Sequence, residues 1–63
     1  MITRAIVHFE SYTKSYNISK VKPESEVESI EIEDTGLLVI TYKNGTQKGY
    51  LNMPTELTID NTL

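Results

Sequence analysis

Residues 27–53 read VESIEIEDTGLLVITYKNGTQKGYLNM, a run rich in β-branched and aromatic residues that is broken twice by short turn-forming segments ending in glycine. It reads as a meander of three antiparallel strands with turns at Asp34-Thr35-Gly36 and Asn44-Gly45. Asn-Gly between β-prone runs is a strong hairpin signal, because both central residues of a type I′ turn take φ > 0. A two-residue loop there pairs Lys43 with Thr46, Tyr42 with Gln47, Ile40 with Gly49 and Leu38 with Leu51. Directly opposite residues share a face. Leu38, Ile40, Tyr42 and Leu51 then form an apolar surface, and Leu37, Val39, Thr41, Lys48, Tyr50 and Asn52 lie on the reverse.

The earlier turn yields to the same test. A two-residue loop would put Glu31 opposite Ile40, where burying the carboxylate is costly. A three-residue loop with Gly36 in the left-handed region instead pairs Ile32 with Leu38 and Ile30 with Ile40. It sends Ser29, Glu31 and Glu33 to the other face, so this register is the one expected.

The flanks are weaker copies of the pattern. Residues 2–9, ITRAIVHF, and 15–21, SYNISKV, are β-prone, with Ser11-Tyr12-Thr13-Lys14 between them as a four-residue turn. That register pairs Phe9 with Tyr16 and Val7 with Ile18 on one face and leaves Ile6, His8, Asn17 and Ser19 on the other. A helix over 9–16 competes, but Tyr12, Thr13, Tyr16 and two serines disfavour it. Pro23 stops the second strand and Pro54 the last meander strand, since proline cannot donate to a ladder. In the tail, Leu57 and Ile59 are spaced by two and can add a short closing strand, with Asp60–Leu63 expected to fray.

The 63 residues therefore divide into an N-terminal hairpin (2–21), a connector (22–26), the meander (27–53) and a tail (54–63) of one small domain. The expected fold is all-β, an antiparallel meander of about five short strands forming a small barrel or a strongly twisted sheet. A chain this short buries only about 60% of the surface its unfolded form exposes. With no cysteine and a single histidine, His8, disulfides and thiolate or histidine zinc sites are not available to reinforce it. Oligomerisation is the remaining device, and a homo-oligomer is expected.

Arg4, His8 and Glu10 interrupt the apolar residues after Met1, so neither a signal peptide nor a membrane span is expected, and a cytoplasmic setting follows. Asn17-Ile18-Ser19 and Asn44-Gly45-Thr46 match a glycosylation pattern that carries no weight without secretion. The net charge of -3 argues against nucleic acid as a partner.

Chemistry-bearing residues are few. Glu24, Glu26, Glu28, Glu31, Glu33 and Asp34 place six of the nine acidic residues in eleven positions. Paired carboxylates do proton transfer when one is desolvated, but these alternate along an extended, water-facing strand. They suit better the protection of a sheet edge, or the steering of a basic partner, with DNA-backbone mimicry as one form of it. His8 lacks a triad or metal partner in sequence, and Gly36, Gly45 and Gly49 are too scattered for a phosphate loop. No cofactor is implied. Tyr50 beside Leu37 and Val39 on the non-core face resembles a contact surface. Lys48 with Tyr50 is a fragment of the aromatic-plus-basic pattern used on single strands.

The chain is thus expected to be a non-enzymatic interaction protein that binds and modulates a protein partner. Its contact surface would be Leu37, Val39 and Tyr50, guided by Glu26, Glu28, Glu31 and Glu33. The composition is compatible with an accessory or inhibitor protein of a bacterium or its phage. Two alternatives are a small-ligand or nucleotide binder using Arg4, Lys43 or Lys48 between subunits, and a structural subunit of a larger assembly.

Overall fold

A computed structural model describes residues 1–18 and 26–60. The expectations for Ser19, the connector up to Glu26, the Pro23 stop and the fraying end beyond Asp60 lie outside those residues. Among the described residues there are six strands: β1 (Ile2–His8), β2 (Thr13–Asn17), β3 (Val27–Ile32), β4 (Leu37–Tyr42), β5 (Gln47–Leu51) and β6 (Thr55–Ile59). All their pairings are antiparallel, in two three-stranded sheets of order β2-β1-β6 and β3-β4-β5. The fold is all-β as expected, but the sheets do not close into a barrel. The tail explains why. Instead of linking the sheets, β6 pairs with β1, and the Asp60 N–H donates to the Met1 carbonyl (2.8 Å).

The inner faces of the sheets meet, supplying Ala5, Val7 and Tyr16 from the first and Val27, Ile30, Leu38 and Ile40 from the second as the buried core. Ile2, Phe9, Ile18, Tyr42, Tyr50, Met53 and Leu57 are half-buried against it. A β-bulge between Val27 and Ser29 turns Val27 inward, opposite Tyr42.

The Asp34-Thr35-Gly36 turn has the expected three-residue form. Ile32 pairs with Leu38 and Ile30 with Ile40. The Glu33 N–H donates to the Leu37 carbonyl and the Gly36 N–H to the Glu33 carbonyl, each at 2.9 Å. Gly36 sits at φ 88°, a conformation that only glycine adopts freely.

The Asn-Gly turn corrects the expected two-residue loop. Here too the loop spans three residues, Lys43-Asn44-Gly45. The Tyr42 N–H donates to the Thr46 carbonyl (2.8 Å), the Gly45 N–H donates to the Tyr42 carbonyl (3.0 Å), and Gly45 is at φ 89°. Asn44 does not enter the left-handed region. Its side-chain oxygen instead accepts from the Thr46 N–H (3.0 Å) and the Thr46 hydroxyl (2.6 Å), a local bond that stabilises the turn without that backbone strain.

The one-residue difference moves every β5 side chain to the other face. Tyr50 lies opposite Leu38 and Lys48 opposite Ile40, on the core side, while Leu51 lies opposite Leu37 and Gly49 opposite Val39, outside. Leu51, expected in the core, is 60% exposed. Ile32 keeps its expected face, but at the end of the sheet it is 51% exposed.

The N-terminal hairpin differs by four residues. Ala5 pairs with Tyr16 and Val7 with Lys14, around a loop over 9–12 rather than 11–14. Phe9 leaves the strand because its ring stacks on Tyr12 (centroids 4.6 Å apart), and the Phe9 N–H closes the loop onto the Tyr12 carbonyl (2.8 Å). An even shift preserves faces, so Val7 and Tyr16 still point inward.

Candidate functional site

Two surfaces gather the residues that could contact a partner or ligand. The first is the outer face of the β3-β4-β5 sheet. Cross-strand pairing aligns Glu31, Val39 and Gly49 in one row and sets Leu37 beside Leu51 in the next. The Glu33 N–H bond to Leu37 places a second carboxylate at the end of that row. Gly49 keeps the row flat, since a Cβ there would lie 3.2 Å from Leu37 Cδ1. Leu37, Val39 and Glu31 therefore share the expected surface. Tyr50 does not, because the β5 register places it on the core side, and Leu51 occupies the position across from Leu37. Glu26 precedes β3, where its carbonyl accepts the Lys43 N–H (2.8 Å), and Glu28 lies in the bulge. All four glutamates are exposed, so nothing in their surroundings takes them out of water.

The second surface is the rim where edge strands β2 and β5 face one another across the two sheets. Lys14 and Tyr16 project inward from β2, and Lys48 and Tyr50 project inward from β5. The Tyr16 and Tyr50 hydroxyls are hydrogen-bonded across the gap. Lys14 Nζ stands 5.6 Å from the centre of the Tyr16 ring, and Lys48 Nζ stands 5.6 Å from that of Tyr50. Each is within cation–π range. Phe9 meets the Tyr50 ring edge-on (5.8 Å) and also stacks on Tyr12.

Electrostatics distinguishes the two hydroxyls. Burial, then the hydrogen bond to Tyr50, pushes the Tyr16 hydroxyl far above the ordinary 10.0, with Tyr42 acting in the same direction. Burial would raise Tyr50 as well. Its hydrogen bonds with Tyr16 and Lys48, together with the Lys48 and Lys14 charges, outweigh that effect and hold it below 10.0. Lys48 is itself raised, chiefly by its hydrogen bond with Tyr50. Of the two hydroxyls, Tyr16 is therefore the one held more firmly in its protonated form.

Sequence alone singles out Lys48 and Tyr50 but not Lys14 and Tyr16 as their counterparts. The signal is present as Lys14-Ser15-Tyr16 and Lys48-Gly49-Tyr50, two triplets of one pattern, with a spacing of two that puts lysine and tyrosine on one face of a strand. The other suggested ligand residues do not join them. Arg4 is exposed on the outer face of the first sheet, and Lys43 is in the turn after β4. His8 does have a partner, Glu56 on β6 (Nε2 to Oε1, 3.6 Å), in an exposed pair on that same outer face.

Among the described residues, no group of three or more His, Cys, Asp or Glu could hold a metal ion, and no helix is long and apolar enough to cross a membrane. Comparison with family models, with curated proteins and with solved structures finds no match to this chain.

Proposed function

We propose that this chain is a non-enzymatic interaction protein that binds another protein through the outer face of the β3-β4-β5 sheet and modulates it. The observation that carries this reading is the row of Leu37, Leu51 and Val39 bordered by Glu31 and Glu33. Apolar side chains in the middle of a contact supply affinity by leaving water, and charges at its rim guide approach and select the partner. The matching surface is an apolar patch with lysine or arginine around it. A second copy of this chain is the competing occupant, and a homo-oligomer built on this face would mask the same leucines.

Val39→Lys with Leu51→Lys tests the reading, because both residues face outward and the core is untouched. Light scattering gives the solution mass, and a purified partner recovered from host lysate gives the affinity. The expected result is a folded double variant with at least tenfold weaker partner binding. The separate variant Glu31→Lys/Glu33→Lys should slow association and reduce its salt dependence. Unchanged partner binding by a folded Val39→Lys/Leu51→Lys variant would refute the outer face as the contact. A drop in mass instead would assign the face to self-association.

A further inference from the structure

We infer that the rim between β2 and β5 binds the phosphate of a nucleotide, with Lys14 and Lys48 holding the oxyanion and Tyr12 offering its exposed ring to the base. This site is on the opposite side of the β3-β4-β5 sheet from the protein-binding face and does not depend on it.

Convergence is the first argument. Two ammonium groups come from different sheets, 34 positions apart in the chain, onto one hydrogen-bonded tyrosine pair. Like charges gathered in one place repel unless something negative joins them. In a chain with nine acidic residues and a net charge of -3, a carboxylate could readily have been placed there. Yet among the described residues no carboxylate pairs with Lys14 or Lys48. Glu26, Glu28, Glu31 and Glu33 lie along β3 and its outer face, Glu56 is on β6 and Glu10 is in the exposed loop before Tyr12, so the charges on the inward side of β2 and β5 are those of Lys14 and Lys48.

The donors suit a phosphate. Each ammonium presents three N–H groups. The two tyrosine hydroxyls share one hydrogen bond, so whichever accepts in it still has its own proton to offer a further acceptor. The aromatic neighbours extend the site. Tyr12 is 60% exposed and stacks on Phe9, which abuts Tyr50. Any base can stack on such a ring, because every base has a π-face.

Inward-pointing lysines also discourage edge-to-edge aggregation. That role alone explains the charges but requires neither the tyrosine pair between them nor an exposed ring beside them, and it predicts no ligand.

A nucleotide can be free or part of a single strand, and the probes separate the two. Titration of the full chain with inorganic phosphate, a nucleoside diphosphate and a fluorescent ten-residue oligothymidylate should give saturable binding of at least one nucleotide probe in 0.15 M salt. Lys14→Gln and Lys48→Gln should each weaken binding about tenfold or more. Tyr12→Ala should weaken nucleotide binding several-fold while leaving inorganic phosphate unchanged. Leu51→Lys, on the far face, should not weaken it. A single-strand ligand would show a salt slope of about -1.4 for two phosphate contacts, and a free nucleotide would outcompete the oligomer. The inference fails if no nucleotide probe binds, or if binding survives both glutamine substitutions. A loss of solubility in the glutamine variants without any binding by the unsubstituted chain would leave edge protection as the whole role of the lysines.

Discussion

The β3-β4-β5 sheet is assembled from two consecutive hairpins, each closing over three residues, whereas the β2-β1-β6 sheet takes one of its strands from the far end of the chain. In the first case the partners are neighbours in sequence. In the second, Met1 and Asp60 must meet, and the Met1 ammonium donates to the Asp60 carbonyl (3.1 Å) across a separation of 59 residues. Closing a longer loop costs more chain entropy, roughly 0.6 kcal/mol for each doubling of length. The local sheet is therefore the natural place for structure to begin, and it also supplies Leu38 and Ile40, two of the three largest fully buried side chains. The two proposed surfaces divide along the same line, with an apolar, glutamate-bordered face on the local sheet and a lysine–tyrosine rim that exists only when both sheets are in place.

The largest test of this division is a pair of truncations. Ile40→Ala removes a fully buried side chain from the local sheet and should cost about 2–5 kcal/mol. For a domain of this length, with a total stability on the order of 3–9 kcal/mol, that is enough to unfold much of the population. Leu57→Ala on the half-buried β6 should cost about 1–2 kcal/mol, in proportion to its smaller loss of buried surface. Chemical denaturation measures both, and equal costs would contradict the assignment of the main core to the local sheet.

The next effect compares the two turns within that sheet. Both glycines have positive φ, but a Cβ on Gly36 would meet Asn52 Oδ1 at 2.5 Å, whereas among the described residues nothing lies within 4 Å of one on Gly45. Replacing either by alanine should cost about 1–2 kcal/mol for the left-handed backbone. Gly36→Ala should cost more than Gly45→Ala, because the Asn52 side chain must also move. A thermal melt in which Gly45→Ala is the more damaging would break that ordering.

The smallest effect is at alkaline pH and reports on contact between the sheets. Tyr16 has a folded-state pKa above its unfolded 10.0, so its contribution to stability is complete below about pH 10 and is lost as the pH rises beyond it. Tyr50 is lowered, so the folded state releases that proton first and gains stability between the lowered value and 10.0. Absorbance titration should show one early and one late tyrosine, with unfolding steepening above pH 10. Tyr16→Phe should remove the late step and flatten the alkaline loss. Tyr16 and Tyr50 titrating together would mean that the two hydroxyls do not share the hydrogen bond.

Strand content, the Gly36 turn and the inward face of β4 were legible in sequence because each rests on local rules of alternation and turn chemistry. Tyr50 and Leu51 were exchanged because Asn44-Gly45 fits two loops that differ by one residue, and the sequence favours the two-residue form. The core favours the other loop, since it brings the Tyr50 ring against Phe9 and Tyr16. The meeting of Lys14 and Tyr16 with Lys48 and Tyr50 is hidden for a related reason. Their partners are on β5, and nothing local to residues 14–16 reveals an edge strand in another sheet.

By itself the sequence determined an all-β chain, the positions of its meander turns, the residues that alternate between faces and the acidic character of β3, since each of these is set by a residue and its immediate neighbours. Tertiary structure decided which strand completes each sheet, why no barrel closes, and which tyrosine joins which lysine. Those outcomes depend on parity across a loop and on pairing between distant segments, where packing of the shared core selects among registers that local propensity leaves nearly equal in energy.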